Sequence, residues 1–324
     1  MMTRLRYGAA LLVDRDDWST VGDLARAIED SGWDYAFCAE GPYGGNSNAI
    51  VGSTVLAESS TRIRIGSCIA IIYLRHPWLM TVSAGNLQER SGGRFVLGLG
   101  VSHPAINEPL GIQTNKPVDD ARKYVAAVRG YMSDLGVSFP IWLAAVNIRM
   151  ARLAGEVADG VILHHVPLSL MPETLAAIHE GEERAGKGKS TLIAAYARIA
   201  LTTDRRAAEA MGRAITYEFL KFPVYQKLFI RAGYAEATNA IVAAIAAKDK
   251  EKALDLIPDV LLRDYLIMGP RQDCEHQLEL YRSAGVDVLL FAPLPMSGVP
   301  LMEKYRPLLE AFKVPESNQS EVAS

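Results

Sequence analysis

Ser91-Gly92-Gly93-Arg94-Phe95-Val96-Leu97-Gly98-Leu99-Gly100-Val101-Ser102-His103-Pro104 is the stretch on which the fold turns. Ser91-Gly92-Gly93 ends a helix and turns the chain into a strand over Phe95–Gly100, since glycine takes the positive φ that closes a last helical turn. The strand then runs into Val101-Ser102-His103-Pro104, a short loop able to carry functional side chains. A dinucleotide fingerprint would need G-x-G-x-x-G at the first strand–helix turn. Here Gly98-Leu99-Gly100-Val101-Ser102-His103 lacks the third glycine and follows the fourth strand, so the Rossmann reading is set aside.

Outward from this stretch, β-branched runs alternate with amphipathic ones, the pattern of parallel βαβ units. Upstream, Arg6–Val13 reads as a strand, and Trp18–Ser31 as a helix with Val21, Leu24, Ala25 and Ile28 on one face. Asp34–Cys38 is a strand, Ala49–Ser59 a helix, and Ile63–Ile72 a third, nearly all-apolar strand, as a strand covered on both faces requires. Pro77 opens a helix, where its missing N–H costs nothing. Downstream come a helix over 119–132, strand Pro140–Ala145, helix Ile148–Val157, strand Gly160–Leu163 and a helix over 172–185. Strands Leu192–Leu201 and Val286–Phe291 complete eight. Between these two lies a long helical stretch, about 205–262, read as an insertion that walls the site, then a crossover helix Arg271–Ser283. Such a stretch exceeds what one crossover needs. Eight alternations predict one α/β (β/α)8 barrel over 1–315, closed by a helix at 302–312, with a polar, disordered tail over 316–324.

Composition excludes several classes of function. A net charge of -3 gives no basic stripe for nucleic acid, and no apolar run is long enough to span a bilayer. Cys38, Cys68 and Cys274 are odd in number and widely spaced, matching neither a disulfide framework nor a zinc site. The short apolar N-terminal run lacks the features of a signal peptide, so a cytoplasmic protein is expected.

In a barrel the chemistry lies at the C-terminal ends of the strands. Those positions hold Glu40, Tyr73 to His76, Gly100 to Pro104, Ala144 to Asn147, and His164-His165. Each also has a plain reading: Glu40 as a solvated loop carboxylate, His103 as a loop terminator, Arg75 and His76 as anchors of the next helix, Cys68 as a small hydrophobe. Neighbours on a strand face opposite ways, so at most one of His164 and His165 can line the site. No metal site is expected, and no G-x-S-x-G elbow or Ser-His-Asp set supports hydrolysis. Trp78, Tyr73, Phe219, Phe222 and Tyr225 are candidate walls for a substrate pocket, although core packing is the commoner fate of such residues.

At these strand ends the chain resembles the luciferase-like superfamily, and within it the branch that uses coenzyme F420. The resemblance rests on the Ser91–Pro104 stretch, on Arg62-Ile63-Arg64-Ile65-Gly66-Ser67-Cys68-Ile69 with Arg75-His76-Pro77, and on Leu153–Val161 and Ala284-Gly285-Val286-Asp287. It implies a non-prolyl cis peptide at Cys68–Ile69 beneath the deazaflavin ring, with Gly100-Val101-Ser102 along the cofactor. It also implies backbone N–H groups over Ala145, Val146, Asn147 and Ile148 at its phosphate, in keeping with the attraction of helix N-termini for anions. This last segment departs from the glycine and proline usual there. His164 joins the cofactor-binding set. Acidic or imidazole side chains after strands two and four correspond to Glu40 and His103, candidates for proton transfer accompanying hydride transfer. Ala39-Glu40 stands where many relatives have an Asp-His pair, which argues against the sugar-phosphate dehydrogenase activity of the family. The implied activity is hydride exchange between the deazaflavin C5 and a small organic substrate (C=N, C=C or carbonyl/alcohol). A homodimer is implied, with a separate F420 reductase or dehydrogenase recycling the cofactor. The alternatives are an FMN-dependent two-component monooxygenase and a catalytically inactive flavin-binding protein.

Overall fold

The computed structural model describes residues 4–41, 47–114, 116–296 and 298–315; the tail expected to be disordered lies outside them. Ten strands run along the chain: β1 (Arg6–Leu11), β2 (Tyr35–Cys38), β3 (Arg64–Ser67), β4 (Ala70–Ile71), β5 (Phe95–Gly100), β6 (Ile141–Ala145), β7 (Gly160–His164), β8 (Leu192–Leu201), β9 (Leu266–Gly269) and β10 (Val288–Pro293). All their pairings are parallel, and helices separate the successive barrel strands. The sheet closes because β10 pairs with β1 on one side, Val288 opposite Arg6, and with β8 on the other, Val288 opposite Ala194. The fold is a (β/α)8 barrel.

Two features of the sequence set the barrel's register. Asp34, Asp159 and Asp287 each stand just before a strand. Their carboxylates accept from the backbone N–H of Tyr7 (3.2 Å), Ile141 (2.8 Å) and Ile193 (2.8 Å) on neighbouring strands. Each fixes one strand against the next at the N-terminal end. Arg94 does similar work for the Ser91–Phe95 turn. Its guanidinium donates to the carbonyls of Ser91 (2.8 Å), Ile63 (2.7 Å), Ser60 (2.9 Å) and Ala57 (3.2 Å), tying that turn to the end of the preceding helix–strand unit. Gly92 and Gly93 both take positive φ, +64° and +86°, as the turn needs.

The barrel interior is packed with Ala10, Tyr35, Phe37, Val96, Trp142, Ile162, Ala194, Tyr196, Val288 and Leu290. The larger cluster lies between the sheet and its helices, where Val21, Leu24, Ala25 and Ile28 are fully buried on the face the sequence assigns them. Burying a large apolar side chain contributes roughly 1.5–3 kcal/mol, which makes this shell the main source of stability.

The structure differs from the sequence expectation at three places. The run Ile63–Ile72 is not one strand. It breaks between β3 and β4 at a cis Cys68–Ile69 peptide, the bond that the family resemblance implies. Gly98 makes room for the break, because a Cβ there would sit 1.9 Å from the Ser67 carbonyl oxygen. Second, the helical stretch expected over 205–262 is present as helices over 205–220, 223–229, 230–234, 235–246, 250–255 and 259–265, but an unforeseen strand follows it: β9 pairs with the far half of β8, Leu266 opposite Arg198. Third, His165 has φ +55°, so strand alternation ends at His164.

Candidate active site

The C-terminal ends of the strands converge on one mouth. On one side stands Glu40, just past β2, its side chain 4% exposed. Arg75 Nη1 lies 2.6 Å from one of its oxygens, and the Ile71 N–H donates to the other at 2.8 Å. Both oxygens of Glu40 are therefore engaged, and what they hold is β4, the far side of the break at Cys68–Ile69. Arg75 in turn is steadied by Tyr124, whose hydroxyl donates to the Arg75 carbonyl at 2.9 Å. His76 plays the plain role considered for it, its Nδ1 accepting from the Trp78 N–H at 3.2 Å to cap the helix over 77–90.

The floor is main chain and small side chains. Ile71 pairs with Gly100, and a Cβ on Gly100 would meet the Ile69 side chain at 2.8 Å. Ser102, with φ +57°, turns the chain away from β5, and the Asn107 carboxamide fixes that turn by donating to the Val101 carbonyl at 3.0 Å. Burial pushes the Cys68 thiol up to about 12, against the opposing charge of Arg198, so Cys68 stays protonated and is no nucleophile.

The opposite side carries three imidazoles. His103, half-buried after β5, lies face-tilted on Phe222 with ring centres 4.3 Å apart. Burial lowers its pKa below 6.5, leaving it neutral at pH 7. His164 Nδ1 is 2.9 Å from the Tyr225 hydroxyl. Burial, with the nearby charges of Arg198 and His103, takes its pKa down to about 3. The expectation that only one of the His164–His165 pair could line the mouth is corrected here. With His165 in the left-handed region, the two rings meet at 4.0 Å, and both lie against Tyr196. His165 is 2% exposed, packs on Phe219 at 4.2 Å, and has neither ring nitrogen hydrogen-bonded.

Phe219, Phe222 and Tyr225 come from the helices at 205–220 and 223–229 and the joint between them, so this segment supplies the aromatic wall. Tyr73 instead hydrogen-bonds Asp120, and Trp78 is 47% exposed on the outer surface. Sequence reasoning missed Arg198. In Leu192–Leu201 it shares inward parity with Ala194 and Tyr196, and its guanidinium lies 5.4 Å from the Tyr196 ring centre. A lone charge in an otherwise apolar strand was the available signal.

The segment over Ala145–Ile148 leads into the helix at 148–157, as expected for an anion seat. Asn147 already fills part of it, its Oδ1 accepting from the Arg149 and Met150 N–H groups at 3.1 Å. An anion there has the remaining first-turn N–H groups and must share or displace the carboxamide. A cleft of about 330 Å³ lined by Arg4, Tyr7, Glu279 and Phe312 lies at the opposite end of the barrel, where barrel enzymes do not place their chemistry. Among the described residues, no group of three His, Cys, Asp or Glu could hold a metal ion, and no helix is long and apolar enough to cross a membrane.

The family described as luciferase-like monooxygenase matches residues 1–288. The 5,10-methylenetetrahydromethanopterin reductase of Methanolobus tindarius is 27% identical over 297 residues, covering 85% of this chain and 90% of its own. Among solved structures, the coenzyme F420-dependent tetrahydromethanopterin reductase of Methanopyrus kandleri superposes with a TM-score of 0.78 at 20% identity, over 96% and 99% of the two chains. An F420-dependent secondary alcohol dehydrogenase holding an F420-acetone adduct gives 0.72 at 14% identity, over 96% and 100%.

Proposed function

Because the chain belongs to the luciferase-like monooxygenase family, we propose that it is an F420-dependent oxidoreductase exchanging hydride between the deazaflavin and a small organic substrate. The observation that carries the reading is the mouth itself: a main-chain floor at Cys68–Ile69 and Gly100, faced by aromatic and imidazole rings, with Glu40 already bound to Arg75. That is a slot for a planar ring, and among the described residues no three His, Cys, Asp or Glu are grouped to hold a metal ion there. The orphaned polar atoms fit the group too. Arg198 Nε and both His165 nitrogens are sealed from solvent without partners, and a deazaflavin's polar edge offers carbonyl acceptors and an N–H donor.

When bound, the deazaflavin supplies a two-electron hydride donor or acceptor at C5. The residues of this chain do the rest. Gly100, Val101 and Ser102 would lie along the ring, and the Ile148 helix N-terminus would face the phosphate with Asn147 displaced or sharing. Neutral His103 is suited at pH 7 to accept a proton from a substrate hydroxyl, or to return one it has picked up. Glu40 is a positioning residue: it holds β4 and leaves the proton work to His103. Phe219, Phe222 and Tyr225 exclude water from the substrate side.

A homodimer belongs to the proposal, with the exposed Val51, Trp78 and Leu79 of the adjacent helices 49–59 and 77–90 as the apolar face it would cover. So does a partner enzyme that recycles the deazaflavin. The test is equilibrium binding of F420 and of FMN to the purified protein. Micromolar or tighter F420 binding with weak FMN binding supports the proposal. Preference for FMN, with flavin-stimulated oxygen uptake, would replace it with the monooxygenase reading, and binding of neither would end both.

A further inference from the structure

We propose that Arg198 is the seat of an anionic oxygen at the barrel mouth, supplied either by a carboxylate-bearing substrate or by the negatively charged pyrimidine edge of the reduced cofactor. Only the second source rests on the deazaflavin reading.

Arg198 is the one charged residue in Leu-Ile-Ala-Ala-Tyr-Ala-Arg-Ile-Ala-Leu, and it follows Ala194 and Tyr196 on the inward face. A guanidinium keeps its charge, so it cannot relieve partial burial by losing a proton. Its contacts within the protein are few. Nη1 donates to the Pro293 carbonyl at 3.2 Å, the cation lies over Tyr196, and Nε is sealed from solvent with no acceptor. Among the described residues no carboxylate forms an ion pair with it. Glu40, the carboxylate that follows β2 at the mouth, is held by Arg75. The neighbouring His164 and His165 are held neutral by burial and by Arg198 itself, so they add no further positive charge beside it. Arg4 and Arg213, also partly buried, are matched by Asp34 and Asp259, and Arg94 is matched by four backbone carbonyls. The plain reading is that Arg198 ties β8 to β10 through Pro293. That uses one of five donors and leaves Nε stranded. A guanidinium with donors to spare and no ion-pair carboxylate among the described residues, two positions beyond the Tyr196 that pairs with His164, is the donor set that recognises a carboxylate or a delocalised oxyanion.

The test begins without cofactor. Apo protein is titrated at fixed ionic strength with benzoate and propionate, with benzamide as the neutral isostere, followed by calorimetry and thermal midpoint. With the substrate as source, wild type binds the carboxylates at least about tenfold more tightly than R198M, with benzamide unaffected. R198K, which keeps the charge but loses the fork, falls between. With the cofactor as source, the carboxylates show no dependence on Arg198. Instead wild type binds reduced deazaflavin more tightly than oxidised, and R198M loses that preference. If R198M does not fold, R198K is read the same way. Unchanged carboxylate affinity together with an unchanged preference between cofactor forms overturns the proposal. Failure to bind deazaflavin at all leaves the carboxylate arm readable, so the two readings fail separately.

Discussion

Removing Glu40 should destabilise the whole barrel, and the size of the loss separates a positioning role from a catalytic one. Glu40 and Arg75 are 4% and 16% exposed at the side chain and 2.6 Å apart. Neither is open enough for solvent to screen the pair away, as it would at the surface. In E40L the Arg75 charge is left unpaired in a half-buried site and the Ile71 N–H loses its acceptor. Breaking such a pair costs about 3–5 kcal/mol, and a stranded N–H adds about 1–3 kcal/mol that overlaps with it. A total of about 4 kcal/mol is expected. At about 2.1 cal/mol/K of unfolding entropy per residue over 324 residues, this lowers the thermal midpoint by about 6 °C. R75M should cost a similar amount by stranding the carboxylate. The double variant E40L/R75M removes both charges and should lose little more than either single, a coupling of at least about 2 kcal/mol. The assay is scanning calorimetry of the four proteins, with deazaflavin affinity measured alongside, since β4 forms one border of the mouth. Single losses under 1 °C, or two losses that simply add, would refute the reasoning. A large fall in turnover with full stability would return Glu40 to the chemistry.

Three further outcomes follow from the geometry. H103Q should lower turnover by about 10²–10⁴ with a small change in midpoint. Because burial depresses the His103 pKa, the wild-type rate should rise with pH through an ionisation below 6.5 that H103Q abolishes, and a profile flat in both proteins would count against the role. Glu182 is buried, which alone would raise its pKa, but His179 and the Ser190 and Thr191 N–H groups outweigh this and take it to about 2. With its folded pKa depressed, its stabilisation is complete above about 4.5 and is lost as pH falls toward 2, so E182Q should flatten the stability profile in that window. The depressed His164 acts in the same direction higher up, costing stability as pH falls from about 6.5 toward 3. Wild type and E182Q with parallel acid-unfolding curves would contradict this assignment. G98A places a methyl group 1.9 Å from the Ser67 carbonyl oxygen. It should cost at least about 3 kcal/mol or prevent soluble expression, whereas a midpoint within 1 °C of wild type would show that the break in strand three can move aside.

The barrel was legible because its strands declare themselves. Phe95–Gly100 and Ile141–Ala145 are apolar runs bounded by turn residues, whereas the register role of Asp34, Asp159 and Asp287 shows only in the structure. β9 was not legible. Asp259–Tyr265 is helical and Leu266 begins the strand with no glycine or proline between them, so an apolar run passes from one period to the other unmarked. The break at Cys68–Ile69 is likewise invisible to hydrophobicity and came only through resemblance. In the mouth, Glu40, His103 and His164 were reachable by asking what stands at strand ends. His165 was lost because alternation was assumed one residue too far, and the φ that breaks it belongs to no sequence pattern. Arg198 lies within its strand rather than after it, so a search confined to strand ends passed over it.

The floor and the wall of the mouth come from different parts of the chain. The floor is the barrel itself, whose strands would fail together if it changed. The wall is lent by 205–229, which meets the mouth through side-chain contacts alone, among them Phe219 on His165, Phe222 on His103 and Tyr225 to His164. Natural selection can therefore rewrite the ligand-facing surface as a cassette, exchanging a few helical turns while the scaffold that seats the ring stays untouched.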